Sequence, residues 1–390
     1  MKGRKIALFD ASDIPNTAFS SVPEAERLRF LNAQIAYAAA RSPYYREALG
    51  SCAPLSALSE LSRLPFLTAE QLRAQGRRLV CVPASDVARI VSLRSSGTTG
   101  APKRLYFTRG DLERTVAFFA AGMAWMTAPG DCVAVLMPCG APDGIGDLLC
   151  RALRGFGAEP LALGAQADLA AVGQELSARS PQVLVGFPWQ VRLLSLLCPA
   201  LRPRAVLLSA DYVPQTMPAL LRERWGCAVV SHYGMTETGY GCAVEHPCAP
   251  DMVLRADELI AEIVDPACGT PLPSGQEGEL VLTTLRREAM PLLRYRTGDR
   301  AVMDAEGRIA RVGGRLGIPA EFYERQDRLC PLPWLWDYAE EGGCIRALVS
   351  EDAPADAEAQ LAGAADGLRA SLRRTSPAEA ALLRQGKRGI

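Results

Sequence analysis

Between residues 132 and 231, short apolar runs alternate with stretches of helical periodicity, and this narrows the possible folds more than any other feature of the chain. Residues 132–137, 183–187, 205–208 and 228–231 read as strands, with helical segments such as 148–154 and 217–225 between them. Such alternation predicts a largely parallel sheet covered by helices. Upstream, Leu28, Leu31, Ile35 and Ala38 recur at helical spacing, and Ser42-Pro43 stops that helix because the residue before a proline is pushed out of the α region. Thr68 with Gln71 reads as a capping box opening a second helix. After residue 255 the texture changes. Residues 259–264, 279–284, 300–303 and 309–312 read as a smaller, mainly antiparallel sheet, with a turn near Glu306-Gly307. Gly313-Gly314 then offers a hinge, followed by one strand at 344–350 and a polar helix at 354–374. The expected fold is α/β in two parts. Residues 1–314 form a core domain with helix-covered, mostly parallel sheets plus the smaller antiparallel sheet, and residues 315–390 form a short, mobile α+β C-terminal domain.

Formal net charge is zero, which argues against nucleic acid or an anionic membrane as the main partner. No apolar stretch reaches about 18 residues and the first ten residues lack a signal peptide's apolar centre, so a cytoplasmic protein is expected. Twelve cysteines are scattered, several within apolar runs, and read as small buried hydrophobes rather than a disulfide framework.

The segment Ser95-Ser96-Gly97-Thr98-Thr99-Gly100-Ala101-Pro102-Lys103 is poor packing material. It offers backbone N–H groups, hydroxyls and one cation, the means of gripping a phosphate. Only four of the 43 basic residues are lysine, so Lys103 calls for a specific explanation, as does Lys387 near the end. The loop is not the P-loop of NTPases, which has four residues between its glycines and a lysine that precedes Ser or Thr. Two later segments add to it. His232-Tyr233-Gly234-Met235-Thr236-Glu237-Thr238 follows a predicted strand, placing an aromatic face, a hydroxyl and a carboxylate where α/β sheets bind ligands. Arg294-Tyr295-Arg296-Thr297-Gly298-Asp299 supplies a carboxylate that can accept from two vicinal hydroxyls.

With these three ordered motifs, residues 25–315 resemble the adenylate-forming enzymes, the superfamily of acyl-CoA synthetases, peptide-synthetase adenylation domains and firefly luciferase. Within it they most resemble the phenylacetate-CoA ligase-like branch, through Ser42-Pro43-Tyr44-Tyr45-Arg46, Leu64-Pro65-Phe66 and Ala289-Met290-Pro291-Leu292-Leu293 leading into Arg294. The resemblance implies ATP, Mg²⁺ and coenzyme A as cofactors. It implies that Ser95, Ser96, Gly97, Thr98, Thr99, Gly100 and Lys103 hold the triphosphate, that Tyr233 stacks on adenine beside Gly234, and that Thr236 contacts the α-phosphate. Glu237 would ligate Mg²⁺, Asp299 would accept from the ribose with Arg315 nearby, and Ser209, Ala210 and Asp211 would also border the nucleotide. Lys387, in a Gly-Lys context, would bridge the acyl carboxylate and the nucleotide. The implied reaction joins a small-molecule carboxylic acid to coenzyme A through an acyl-adenylate, by an enzyme whose relatives often form homodimers.

The chain departs from that pattern in places. After Arg315 come Leu316-Gly317-Ile318-Pro319 and a short tail, which leaves open a different acceptor (a carrier protein, an amine or a cofactor) or a nucleotide-binding protein without turnover. Cys242, His246 and Cys248 resemble half of a zinc site found in some relatives, but residues 302–307 lack the cysteines of the other half, so buried cysteines and a loop histidine are expected instead. Residues 138–146 stand where phenylacetate ligases carry an aromatic Gly-rich turn; here they hold Asp143, read as a helix N-cap. His232 reads as a packing neighbour of Tyr233 rather than a general base, since a carboxylate nucleophile is already ionised.

Overall fold

A computed structural model describes residues 22–93, 102–165, 168–247, 251–376 and 379. The chain opens with α1 (Glu24–Arg41), α2 (Pro43–Leu49) and α3 (Ala69–Gln75), then the hairpin β1 (Arg89–Leu93) and β2 (Lys103–Phe107). Ser42 ends α1 and its hydroxyl caps α2, where Pro43 takes the first-turn position that needs no N–H donor. The capping box of Thr68 and Gln71 opens α3.

The central section runs α4 (Arg109–Ala124), β3 (Cys132–Val135), α5 (Ile145–Gly155), β4 (Glu159–Ala162), α6 (Leu169–Arg179), β5 (Val183–Gly186) and α7 (Pro188–Leu197). It continues through β6 (Ala205–Ser209), α8 (Met217–Trp225) and β7 (Ala228–Tyr233). Strands β3 to β7 are parallel, as the alternation predicts. Successive residues face opposite sides of the sheet. Val133, Val135, Val183, Val185 and Leu207 pack in a core with α4 and α5, whereas Ala134, Leu184, Val206 and Leu208 pack with α6, α7 and α8.

Next come β8 (Ala243–Glu245), β9 (Met252–Leu254), β10 (Leu259–Val264), β11 (Glu277–Thr284), β12 (Tyr295–Met303) and β13 (Ile309–Arg315). The antiparallel strands do not stand apart from the parallel ones. The three-residue strands β8 and β9 join them edge to edge, giving one eleven-stranded sheet in the order β10-β11-β12-β13-β9-β8-β7-β6-β5-β3-β4.

The end comprises α9 (Ala320–Leu329), β14 (Leu335–Glu341), β15 (Cys344–Ser350), α10 (Ala357–Ala364) and β16 (Arg369–Thr375), with the last three strands forming a small sheet. The long polar helix expected at 354–374 is therefore corrected. Left-handed Asp366 and Gly367 break it, and the remainder pairs in parallel with β15. Gly313 and Gly314 lie inside β13, with Gly314 paired to Arg300, rather than in an open connection. Residues 329–365 share a buried core with α6–α8. Arg192 of α7, 1% exposed, donates to the carbonyls of Cys330, Leu332 and Leu335. Among the described residues no helix is long and apolar enough to cross a membrane.

Candidate active site

Two constraints shape the end of β7. A Cβ at Gly234 would lie 1.9 Å from the Tyr240 carbonyl oxygen, so only glycine lets the chain double back there. Residues Thr236–Thr238 then form one tight helical turn, closed by left-handed Gly239. The Thr238 hydroxyl and the Tyr240 N–H both donate to the Met235 carbonyl, at 3.1 and 2.8 Å. The turn buries Glu237 to 8% exposure.

Lys103, the first residue of β2, reaches this carboxylate. Its Nζ donates to Glu237 Oε1 at 2.5 Å and to the Tyr295 hydroxyl at 3.1 Å, while that hydroxyl donates to Glu237 Oε1 at 3.3 Å. Burial, and then the Glu237 charge, push the Tyr295 phenol well above its ordinary pKa, so it stays a donor. Tyr295 is held firmly. Left-handed Arg294 before it makes a bidentate pair with Glu262, at 2.9 and 3.0 Å.

Asp299 is aimed by a bulge between β11 and β12 at Glu279 and Val281 and by left-handed Gly298. Its Oδ2 accepts from the Tyr233 hydroxyl at 2.7 Å, and its Oδ1 pairs with Arg315 Nε at 3.0 Å. Burial raises the Asp299 pKa, and Arg315 and Tyr233 oppose that rise. Arg315 is anchored through its backbone N–H, which donates to the Tyr323 hydroxyl at 2.9 Å. The ring of Tyr323 lies where a Cβ on Gly314 would be, 2.3 Å away, and Gly314 has a φ of 92°.

Thus Lys103, Gly234, Thr236 and Glu237 gather around one turn, and Tyr233, Asp299 and Arg315 form a second cluster whose carboxylate feels the Glu237 charge. The arrangement offers a cation, a buried carboxylate and a sugar-type acceptor, drawn from β2, the turn after the parallel strand β7, and the antiparallel strand β12. Ser209 instead bonds His232 Nδ1 at 2.7 Å. Ala210 is left-handed, and Asp211 accepts from the Tyr212 N–H at 2.8 Å. Residues 95–100, Lys387 and Cys248 lie outside the described residues.

Cys242 is fully buried against the Thr238 hydroxyl at 2.9 Å, and His246 stacks edge-on to Trp125. Among the described residues, no cluster of His, Cys, Asp and Glu could hold a metal ion by itself. Asp143 is not the N-cap of α5. Gly144 occupies that position, and Asp143 accepts from Arg109 and Arg151, each at 2.9 Å. Two residues were missed in sequence: Tyr295, whose place in the motif beside Arg294 was the available signal, and His232 as a polar group in an apolar cavity, which no pattern marks.

Residues 47–285 match the AMP-binding enzyme family, and the chain belongs to it. A phenylacetate-coenzyme A ligase of Thermus thermophilus is 30% identical over 304 residues, covering 70% of this chain and 63% of the relative. One from Aromatoleum evansii is 30% identical over 292 residues, covering 70% and 64%. The chain thus spans a little under two thirds of the length of these relatives. Among solved structures, a 2-hydroxyisobutyryl-CoA ligase in its postadenylation state superposes with a TM-score of 0.75 at 20% identity, covering 95% of this chain and 91% of that one, which establishes the shared fold.

Proposed function

We propose that this protein activates a carboxylic acid with ATP, forming an acyl-adenylate and pyrophosphate, and passes the acyl group to the thiol of coenzyme A. The observation that carries the reading is the convergence of Lys103, Glu237 and Tyr295 with Tyr233, Asp299 and Arg315 at one end of the sheet. Attack by a carboxylate on the α-phosphorus builds negative charge, and a preorganised cation stabilises it. In this reading Tyr233 contacts adenine, Asp299 takes the ribose hydroxyls in place of the Tyr233 hydroxyl, and Thr236 and Lys103 face the phosphates, with residues 95–100 and Lys387 completing the site. Gly234 and residues 209–211 border the nucleotide.

The chemistry of Glu237 suits Mg²⁺, a hard cation that takes one or two carboxylates together with substrate phosphates. Both described contacts of Glu237 use Oε1, leaving Oε2 for that role. Bound Mg²⁺ would neutralise phosphate charge. The relatives' names support coenzyme A as acceptor. A homodimer and a cytoplasmic setting belong to the same reading; all eleven described cysteines are free thiols.

Acid-dependent exchange of labelled pyrophosphate into ATP tests the first half-reaction, and AMP release with and without coenzyme A tests the second. Exchange without any stimulation of AMP release by coenzyme A would point to another acceptor. Nucleotide binding without exchange would refute acid activation.

A further inference from the structure

On the opposite face of β7 from Tyr233 lies a small, partly open apolar space. It measures about 40 Å³ and sits between α4, α5 and the carboxyl ends of β5 to β7, lined by Phe118, Phe119, Met123, Met137, Ile145 and Leu149 among others. Two side chains on its wall carry polar atoms, Ser209 and His232. The Ser209 hydroxyl is bonded to His232 Nδ1. His232 Nε2 is buried and has no partner among the described residues. Burial also lowers the imidazole pKa to about 4, so the ring is neutral near pH 7 and Nε2 is one hydrogen-bonding atom short.

An unpaired buried nitrogen in an apolar cavity costs stability unless a ligand completes it. The Ser209 contact leaves Nε2 either a donor or an acceptor, depending on the tautomer. A hydroxyl satisfies both cases, a carbonyl only one and a methyl neither. Volume adds a second limit. An apolar cavity of about 150 Å³ accommodates benzene, and this one is several times smaller.

Resting on the acid-activation reading, we infer that the acid is a compact aliphatic hydroxy acid, whose chain fills the space between α4, α5 and β6 and whose hydroxyl bonds His232 Nε2. His232 precedes Tyr233 on the strand, so the acyl cavity and the nucleotide cluster flank the same strand end. His232 is then a specificity-determining residue, and the proton stays on whichever partner the tautomer dictates.

The test is pyrophosphate exchange with matched acids: butyrate against 3-hydroxybutyrate, isovalerate against its hydroxylated forms, and phenylacetate against 4-hydroxyphenylacetate. The wild type should prefer the hydroxylated aliphatic member by roughly tenfold or more in kcat/KM. His232→Leu should collapse that ratio toward one, and His232→Gln, which keeps a polar group, should retain part of it. Because the chain has only two histidines, ¹⁵N spectra offer a readout independent of turnover and of variant folding. The His232 Nε2 resonance of the wild type should move on adding the hydroxy acid with AMP and not with its unhydroxylated partner. Equal rates for both members, an unmoved Nε2 resonance, or a ring acid outpacing every aliphatic pair would overturn the inference. So would a His232→Leu enzyme that slows all acids equally, which would place the imidazole on the carboxylate instead. Exchange with some acid but no hydroxyl preference defeats this inference alone, whereas exchange with none defeats acid activation and this inference with it.

Discussion

Lys103→Met separates the ion pair at the centre of the site from its surroundings. The two side chains are 15% and 7% exposed and 2.5 Å apart, so their gross attraction is roughly 7 kcal/mol at an effective dielectric constant near 20. Desolvation of both groups offsets much of this, but removing one partner leaves the other buried without its counter-charge, with only the Tyr295 hydroxyl beside it, which costs about 3 kcal/mol. Lys103→Met and Glu237→Gln should therefore each lower unfolding stability by about that amount. The double variant should lose less than the sum, with a coupling energy of about 2 kcal/mol. Urea denaturation of the four proteins measures it. Losses that add within about 0.5 kcal/mol would show that the pair does not interact in the folded protein, refuting the geometry on which the site is built.

Three further outcomes are expected. The His232 pKa falls from 6.5 to about 4 on folding, so between those values the unfolded chain binds a proton that the folded one does not. Stability should fall as pH drops through that window, by about 3 kcal/mol in total, and His232→Gln should remove that share of a pH series of melts. Tyr295→Phe keeps the ring but deletes the hydroxyl joining Lys103 to Glu237; pyrophosphate exchange should slow roughly tenfold, and an unchanged rate would discount the bridge. Arg192→Met leaves the buried carbonyls of Cys330, Leu332 and Leu335 without this donor, which should cost about 3 kcal/mol in chemical denaturation and loosen residues 329–365 in hydrogen exchange.

The central strands were legible because their residues are apolar on both faces, and α8 because Met217–Trp225 begins with a proline in its first turn and ends at Gly226. Strand β4 was not, since Glu159 and Pro160 suit only the edge it occupies, where one side needs no partner. Strands β8 and β9 have three residues each, too few to show a period, yet they decide that the sheet is continuous. Strand β16 misled because its alternation sets arginines against Ala370 and Leu372, and an arginine-rich run reads equally as a helix face. At the candidate site, motif order singled out Tyr233, Glu237, Asp299 and Arg315, which lie near one another in the structure. The Tyr233–Asp299 bond and the Tyr295 bridge depend on a bulge and on left-handed residues at 294 and 298, which set direction without changing composition. The interaction between Arg192 and residues 330–335 spans well over a hundred positions, beyond any local pattern.

A crystal structure with bound AMP would show whether the nucleotide sits on the Tyr233–Asp299 cluster. Adenine should lie against Tyr233, the ribose hydroxyls on Asp299 with the Tyr233 hydroxyl displaced, and the phosphate beside Thr236 and Lys103. Nucleotide bound elsewhere, with the Tyr233–Asp299 bond intact, would contradict that placement.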